Sequence, residues 1–229
     1  MYSELSFGLV STCWRSCMKS GKFIVFEGAD GSGKSSQASA LADWLEHAGC
    51  QAVCCRDPGS TPLGDAVRDV LLHRKELRLD PEAEMFLYMA SRAQLVREVI
   101  QPALQNGDWV ISDRFLMSNI VYQGHAGGLD TEAIREAGKI ATCGIQPDLT
   151  LVLDIDLDTA STRMNRPLDR LESRGDAYRE KVRNGYRIEA QSKNTVLIDA
   201  TGTTEKVRAQ IIAATQSSFT DILNYSSEL

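Results

Sequence analysis

The chain has few histidines, and its cysteines are poorly spaced for zinc. There are six cysteines in 229 residues, at 13, 17, 50, 54, 55 and 143, and only three histidines. No two cysteines stand as C-x-x-C, so the spacing of a structural zinc site is missing. The cysteines read as space-filling thiols of a reducing compartment, and a cytoplasmic location is expected. No apolar run approaches the ~18 residues of a membrane span. No repeat, low-complexity tract or linker divides the sequence. Positive charge is not in excess either: the formal net charge is -6. That balance argues against a protein that coats nucleic acid. The 43% apolar and 24% charged fractions are those of an ordinary globular chain.

Residues 1–20 carry Arg15, Lys19, several serines, Cys13 and Cys17, without an apolar centre or periodicity. They read as a disordered extension rather than a signal peptide. Ordered patterning begins near Lys22, and Met18 is a conceivable start. A single domain is expected over residues 21–229.

Lys22–Glu27, with the apolar run Phe23-Ile-Val-Phe26, is predicted as the first strand, and Gly28 follows it. Ala29-Asp30-Gly31-Ser32-Gly33-Lys34-Ser35-Ser36 follows it and opens a helical pattern that reaches His47. Strand, G-x-x-x-x-G-K-S loop and helix are the context of a phosphate-binding P-loop. The glycines allow successive N–H groups to converge on one anion, and the helix N-terminus adds partial positive charge. Residues Gly28 to Ser36 are therefore the candidate ATP cradle. In it Lys34 reaches the β- and γ-phosphates, and the Ser35 hydroxyl can ligate Mg²⁺.

Further strands are predicted at Ala52–Arg56, Trp109–Asp113, Leu149–Asp154 and Thr195–Ile198. Helices are predicted at Leu63–Leu72, Pro81–Leu104, Thr131–Thr142, Leu157–Arg163, Asp176–Gln191 and Thr204–Asn224. Five apolar strands alternating with helices give an α/β fold, a doubly wound parallel five-stranded sheet flanked by helices. Ligands should gather at the carboxyl ends of its strands.

Two such ends carry arginines. Strand two runs into Arg56-Asp57-Pro58-Gly59, and strand three into Asp113-Arg114-Phe115, followed by Asn119 and Tyr122-Gln123-Gly124. Arg56 and Arg114 offer planar donors for a second phosphate-bearing ligand. Asp113, behind Val110-Ile111-Ser112, is a second candidate Mg²⁺ residue with Ser35. Tyr88 and Arg92 lie four apart on the long helix and share a face. They could clasp a flat base; alternatively Tyr88 is core and Arg92 solvated. Arg163, Arg166, Arg170 and Arg174 fall within twelve residues lacking apolar periodicity. This segment, about 163–175, reads as a short arginine-rich lid that excludes water from a phosphate chain. A solvated helix face, with Asp169 and Glu172 neutralising part of the charge, is the alternative.

Glu27-Gly-x-Asp30-Gly-x-Gly-Lys, Arg56-Asp-Pro-Gly, Asp113-Arg-Phe with Tyr122-Gln-Gly, and Asp169-Arg-Leu-Glu, in this order, resemble the bacterial thymidylate kinases. The resemblance runs from about Lys22 to the C-terminus. It implies ATP-dependent phosphorylation of dTMP to dTDP, with ATP and dTMP as nucleotide partners and Mg²⁺ as cofactor. It also implies a homodimer, for which the Pro81 helix could furnish a face.

Carried over by position, Asp30 lies near the acceptor phosphate and sugar, and Arg56 and Arg114 grip that phosphate. Tyr88 stacks on thymine, Arg92 bonds its edge, Asn119 contacts the base, and Tyr122 crowds the 2′ position beside Gln123. Asp57 replaces the usual Glu of this pattern, and Ser60 the usual Gly. The P-loop itself contains no basic residue before Lys34, so catalytic charge is sought in the lid. Arg166, before Pro167, and Arg170, after Asp169, are favoured, with Asp30, Lys34 and Arg114 as the other catalytic candidates. Asp199-Ala-Thr-Gly202 is the expected adenine loop.

A kinase for dUMP, CMP or a nucleoside is the competing reading. A guanine-dependent switch lacks its N-K-x-D motif here. A non-catalytic nucleotide-binding P-loop protein is opposed by the intact Asp30, Lys34, Ser35 and Arg114.

Overall fold

The computed structural model describes residues 21–164, 170 and 174–220. The N-terminal extension and Arg166 lie outside the described residues. Strands β1 (Phe23–Gly28), β2 (Ala52–Arg56), β3 (Trp109–Asp113), β4 (Leu149–Asp154) and β5 (Thr195–Asp199) form one parallel sheet in the order β2-β3-β1-β4-β5. The helices are α1 (Lys34–His47), α2 (Pro62–Leu72), α3 (Pro81–Leu95), α4 (Gln101–Asn106), α5 (Leu116–Asn119), α6 (Thr131–Ala141), α7 (Leu157–Arg163), α8 (Asp176–Glu189) and α9 (Thr204–Ser218).

β1 lies at the centre and is buried along its whole length. Its side chains alternate between two cores, as a period of two requires. Ile24 and Phe26 pack with Leu41 and Leu45 of α1 and Ile211 of α9. Phe23 and Val25 pack with Leu95, Ile100 and Phe115. A strand buried on both faces needs the unbroken apolar run seen in the sequence. Helix starts follow local chemistry. Pro62 and Pro81 occupy first turns, where no N–H is needed. Thr61, Asp130, Asp156 and Thr203 cap α2, α6, α7 and α9 through their side chains.

The long helix expected from Pro81 is interrupted. Val96–Ile100 widens into a π-turn, in which the Gln101 N–H reaches the Val96 carbonyl, and α4 then ends at Asn106. Pro102 is the cause: it donates no N–H and crowds the carbonyl four residues back, and the wider turn absorbs both. A second π-turn, Ile120–His125, continues α5 and carries Tyr122 and Gln123. The sequence reading left this stretch without secondary structure.

Candidate active site

The loop after β1 turns on two glycines whose place no other residue could take. Gly28 has φ 132°, and a Cβ there would lie 2.4 Å from the Leu153 carbonyl oxygen. Gly31 has φ 80°, and a Cβ there would approach the Ala160 oxygen to 2.7 Å. The loop ends at Gly33, φ 90°, which begins α1. Lys34, almost fully buried, folds back to donate to the Ala29 carbonyl at 2.9 Å and stands 3.9 Å from Asp30. Burial, together with the Arg114 charge, lowers the Lys34 ammonium to about 8 against the opposing pull of Asp30, Asp113 and Glu27. The Ser35 hydroxyl donates to Asp113 Oδ2 at 2.5 Å, so the two candidate metal residues converge.

Arg114 sits immediately past β3 in the left-handed region, φ 72°, where a bulky side chain is strained. Its surroundings hold it there. Nη2 donates to Asp30 Oδ1 at 2.6 Å; Nη1 donates to the Gly28 carbonyl at 3.0 Å, Ser118 Oγ at 3.1 Å and Tyr186 Oη at 2.9 Å. The turn itself is fixed by Glu27, a fully buried carboxyl at the end of β1. Glu27 accepts from the N–H groups of Phe115 and Ser118 and from the hydroxyls of Ser118 and Tyr186. Burial pushes the Glu27 carboxyl up, and the Arg114 charge and these hydrogen bonds oppose it. Asp30 behaves oppositely. Its burial is outweighed by Arg114 and Lys34 and by hydrogen bonds from Arg114 and the Tyr122 hydroxyl, which hold the carboxyl well below the usual range.

A cavity opens beside this pair. Asp30, Tyr88, Arg92, Arg114, Asn119, Tyr122 and Gln123, all singled out in the sequence, line it together. A larger cleft adjoins it, lined by Gly31, Gly33, Lys34, Ser35, Ser36, Arg56, Asp113 and Arg163. Asp30 and Arg114 border both. A group bound in one space can thus meet a group bound in the other across these two residues.

Several expected residues occupy particular settings. Arg92 is not solvated; it is 1% exposed and donates from Nε to Asp57 Oδ2 at 2.5 Å and from Nη2 to the Phe115 carbonyl at 3.0 Å. Asp57 precedes a cis bond to Pro58. Arg56 borders the P-loop cleft rather than the smaller cavity, and its side chain reaches Asp65 at 3.4 Å. Ser60, where the family pattern has Gly, takes φ 61°, and its hydroxyl accepts the Arg56 N–H. Arg170 and Arg174 both donate to Glu84 Oε2 at 2.9 Å. Arg163 donates to the carbonyls of Ala200, Thr201 and Gly202, and so shapes the expected adenine loop.

Two residues that line both spaces escaped the sequence reading. Arg68 and Leu72 of α2 face both spaces. Arg68 is fixed to the Pro58 carbonyl at 3.0 Å. Their spacing of four on an amphipathic helix that follows the Arg56 loop was the available signal.

A parallel sheet with a P-loop after its central strand, an adjoining cleft and a second cavity lined by arginine and aromatic side chains define a two-substrate phosphotransferase. The comparisons agree. The family model described as thymidylate kinase matches residues 26–211. The chain is 42% identical over 198 residues to a thymidylate kinase of a Synechococcus species, covering 83% of this chain and 95% of that one. A Kosmotoga olearia thymidylate kinase is 42% identical over 194 residues, covering 83% and 93%. The crystal structure of thymidylate kinase from Ehrlichia chaffeensis superposes with a TM-score of 0.70 at 29% identity, covering 86% of this chain and 99% of that one. The chain belongs to the thymidylate kinase family.

Proposed function

We propose that the chain transfers the γ-phosphoryl group of ATP to the phosphate of dTMP, giving dTDP and ADP. One observation carries the reading: Asp30 and Arg114 stand at the border of the P-loop cleft and the cavity lined by Tyr88, Arg92 and Asn119. In the reaction the bond from the γ-phosphorus to its bridging oxygen breaks. A new bond forms to an oxygen of the dTMP phosphate, which is already ionised and needs no base. The protein therefore contributes position and positive charge.

ATP lies along Gly28–Ser36, its phosphates on the loop N–H groups and on Lys34. Arg114 holds the acceptor phosphate at the border, and Arg56, on the cleft side, meets it once released from Asp65. Asp30 fixes Arg114 and the sugar end of the acceptor. Tyr88 stacks on the base, Arg92 and Asn119 meet its edge, and Tyr122 with Gln123 closes the sugar side. Arg166 and Arg170 bring charge to the transferring group, and any role for Arg170 begins with the exchange of Glu84 for phosphate.

Ser35 and Asp113 are hard oxygen donors and fit Mg²⁺. The described residues contain no cluster of three or more metal ligands, which suits an ion held mostly by water and substrate phosphates. Mg²⁺ supplies charge neutralisation to the phosphates when bound.

We take residues 21–229 as one domain and the compartment as cytoplasmic; no described helix is long and apolar enough to cross a membrane. A homodimer formed through α3 would bury the exposed Phe86. The test of the function is formation of dTDP by the purified chain, dependent on both ATP and dTMP.

A further inference from the structure

We infer that Glu84 is a positioning residue that sets the direction of hydrogen bonding through Gln123 and Asn119, so that Asn119 offers an acceptor to a nucleobase carrying an N3–H. The inference rests on the reading of the cavity as the pyrimidine site.

Glu84 lies on α3 and is 1% exposed. Its Oε2 accepts from Arg170 and Arg174, each at 2.9 Å, and its Oε1 accepts from Gln123 Nε2 at 2.9 Å. A carboxylate paired with two guanidinium groups is an acceptor only, whereas each amide has one donating and one accepting end. The NH2 of Gln123 must therefore face Glu84, and its oxygen must face away. That oxygen accepts from Asn119 Nδ2 at 2.9 Å. Asn119 is in turn left with its oxygen, Oδ1, which is buried and has no hydrogen-bond partner among the described residues.

Gln123 and Asn119 both line the acceptor cavity. A buried acceptor without a donor is costly, so a ligand that brings an N–H is favoured over one that brings a lone pair. Thymine and uracil carry hydrogen at N3; cytosine has a lone pair there. The carboxylate touches no base in this arrangement. It acts on the base through two amides, whose orientation nothing else in the relay would fix.

The substitution Glu84→Gln tests this sharply because it keeps shape and removes only the fixed polarity. Arg174 still donates to position 84, so the introduced amide turns its oxygen to it and its NH2 to Gln123. Gln123 and Asn119 then reverse, and Asn119 presents NH2 to the base. The expected result is a fall in the ratio of kcat/KM for dTMP to that for dCMP on the order of 100-fold, carried mainly by KM. Arg92, a donor-only group on the same cavity, is unchanged and retains part of the discrimination. A ratio within about threefold of wild type overturns the inference. So does an equal loss for both substrates carried by kcat, which would assign Glu84 to the lid arginines alone.

Should the variant not fold, the wild-type enzyme supplies the test through competition of N3-methyl-dTMP against dTMP. Binding weaker by on the order of 100-fold is expected, and equal binding overturns the inference. Wild-type turnover of dTMP tests the underlying reading separately.

Discussion

Arg114 Nη2 lies 2.6 Å from Asp30 Oδ1, and this pair joins the turn after β3 to the loop after β1 at the border of the two ligand spaces. The carboxylate is held ionised, so it fixes a cation that strained backbone already presents. Asp30→Asn should lower kcat/KM for dTMP by about 100-fold or more, since an oriented charge near the reacting groups is worth ~3 kcal/mol. The stability contributed by a depressed carboxyl is present above its unfolded value of 3.8 and is lost only as pH falls through the lower folded value. Asp30 itself therefore adds no pH dependence to activity above about pH 5, and any rise in the ratio of wild-type to Asp30→Asn activity toward pH 8 reports Lys34, whose ammonium loses the pull of Asp30 in the variant. A variant within about threefold of wild type would remove Asp30 from this role.

Lys34 carries its charge below about 8 and sheds it above. In the free enzyme, kcat/KM for ATP should fall tenfold per pH unit above that value. The sign follows from burial, which favours the neutral amine. Lys34→Ala should cost ~3–5 kcal/mol of transition-state stabilisation, or several orders of magnitude in kcat, with the fold intact. A profile flat to pH 10, or near-normal turnover of the alanine variant, contradicts the assignment.

Arg92 and Asp57 form a buried pair, each almost fully shielded from solvent. Removing one partner leaves an uncompensated charge. Asp57→Leu and Arg92→Met, each alone, should destabilise by about 3–5 kcal/mol, a Tm decrease of roughly 6–20 °C. Replacing both, as Asp57→Leu with Arg92→Met, should destabilise less than the worse single change. Thermal unfolding of the three proteins checks the order; equal losses in all three would show that packing, not charge, dominates.

The sequence revealed the strands closely because each is a short apolar run bounded by Gly, Pro or charged residues. β2, β3 and β4 occur where expected, residue for residue. That Lys34, Ser35, Asp113 and Arg114 meet at one cleft was legible because the P-loop and strand-end rules tie their positions to local spacing. Glu84 was not. It lies 39 residues from Gln123 and 86 and 90 from Arg170 and Arg174, and its role exists only once α3 packs against the second π-turn. That π-turn was missed for a related reason: Ile120–His125 mixes apolar, polar and glycine residues without a 3.6-residue period. Arg92 was located correctly on the helix, but its burial against Asp57 depends on a loop from another strand.

The lid arginines are expected to separate by kinetics. Arg166→Ala should depress kcat sharply with little change in the dTMP KM, since an inserted arginine is worth ~10³-fold in phosphoryl transfer. Arg170→Ala should also disturb the Glu84 relay and hence raise the dTMP KM. If both variants and their double keep kcat within about threefold, the catalytic charge is to be sought at Arg56 or Arg114.

The most direct measurement is ATP-dependent phosphorylation of dTMP, dUMP, dCMP and thymidine side by side, reported as kcat/KM. The account expects dTMP to lead. It expects dUMP behind by roughly 10–200-fold, the range for one methyl group in an apolar pocket. dCMP should trail further, and thymidine, lacking the phosphate that Arg114 is placed to hold, should be essentially inert. Preference for dCMP or thymidine over dTMP, or ATP hydrolysis indifferent to all four, would contradict it.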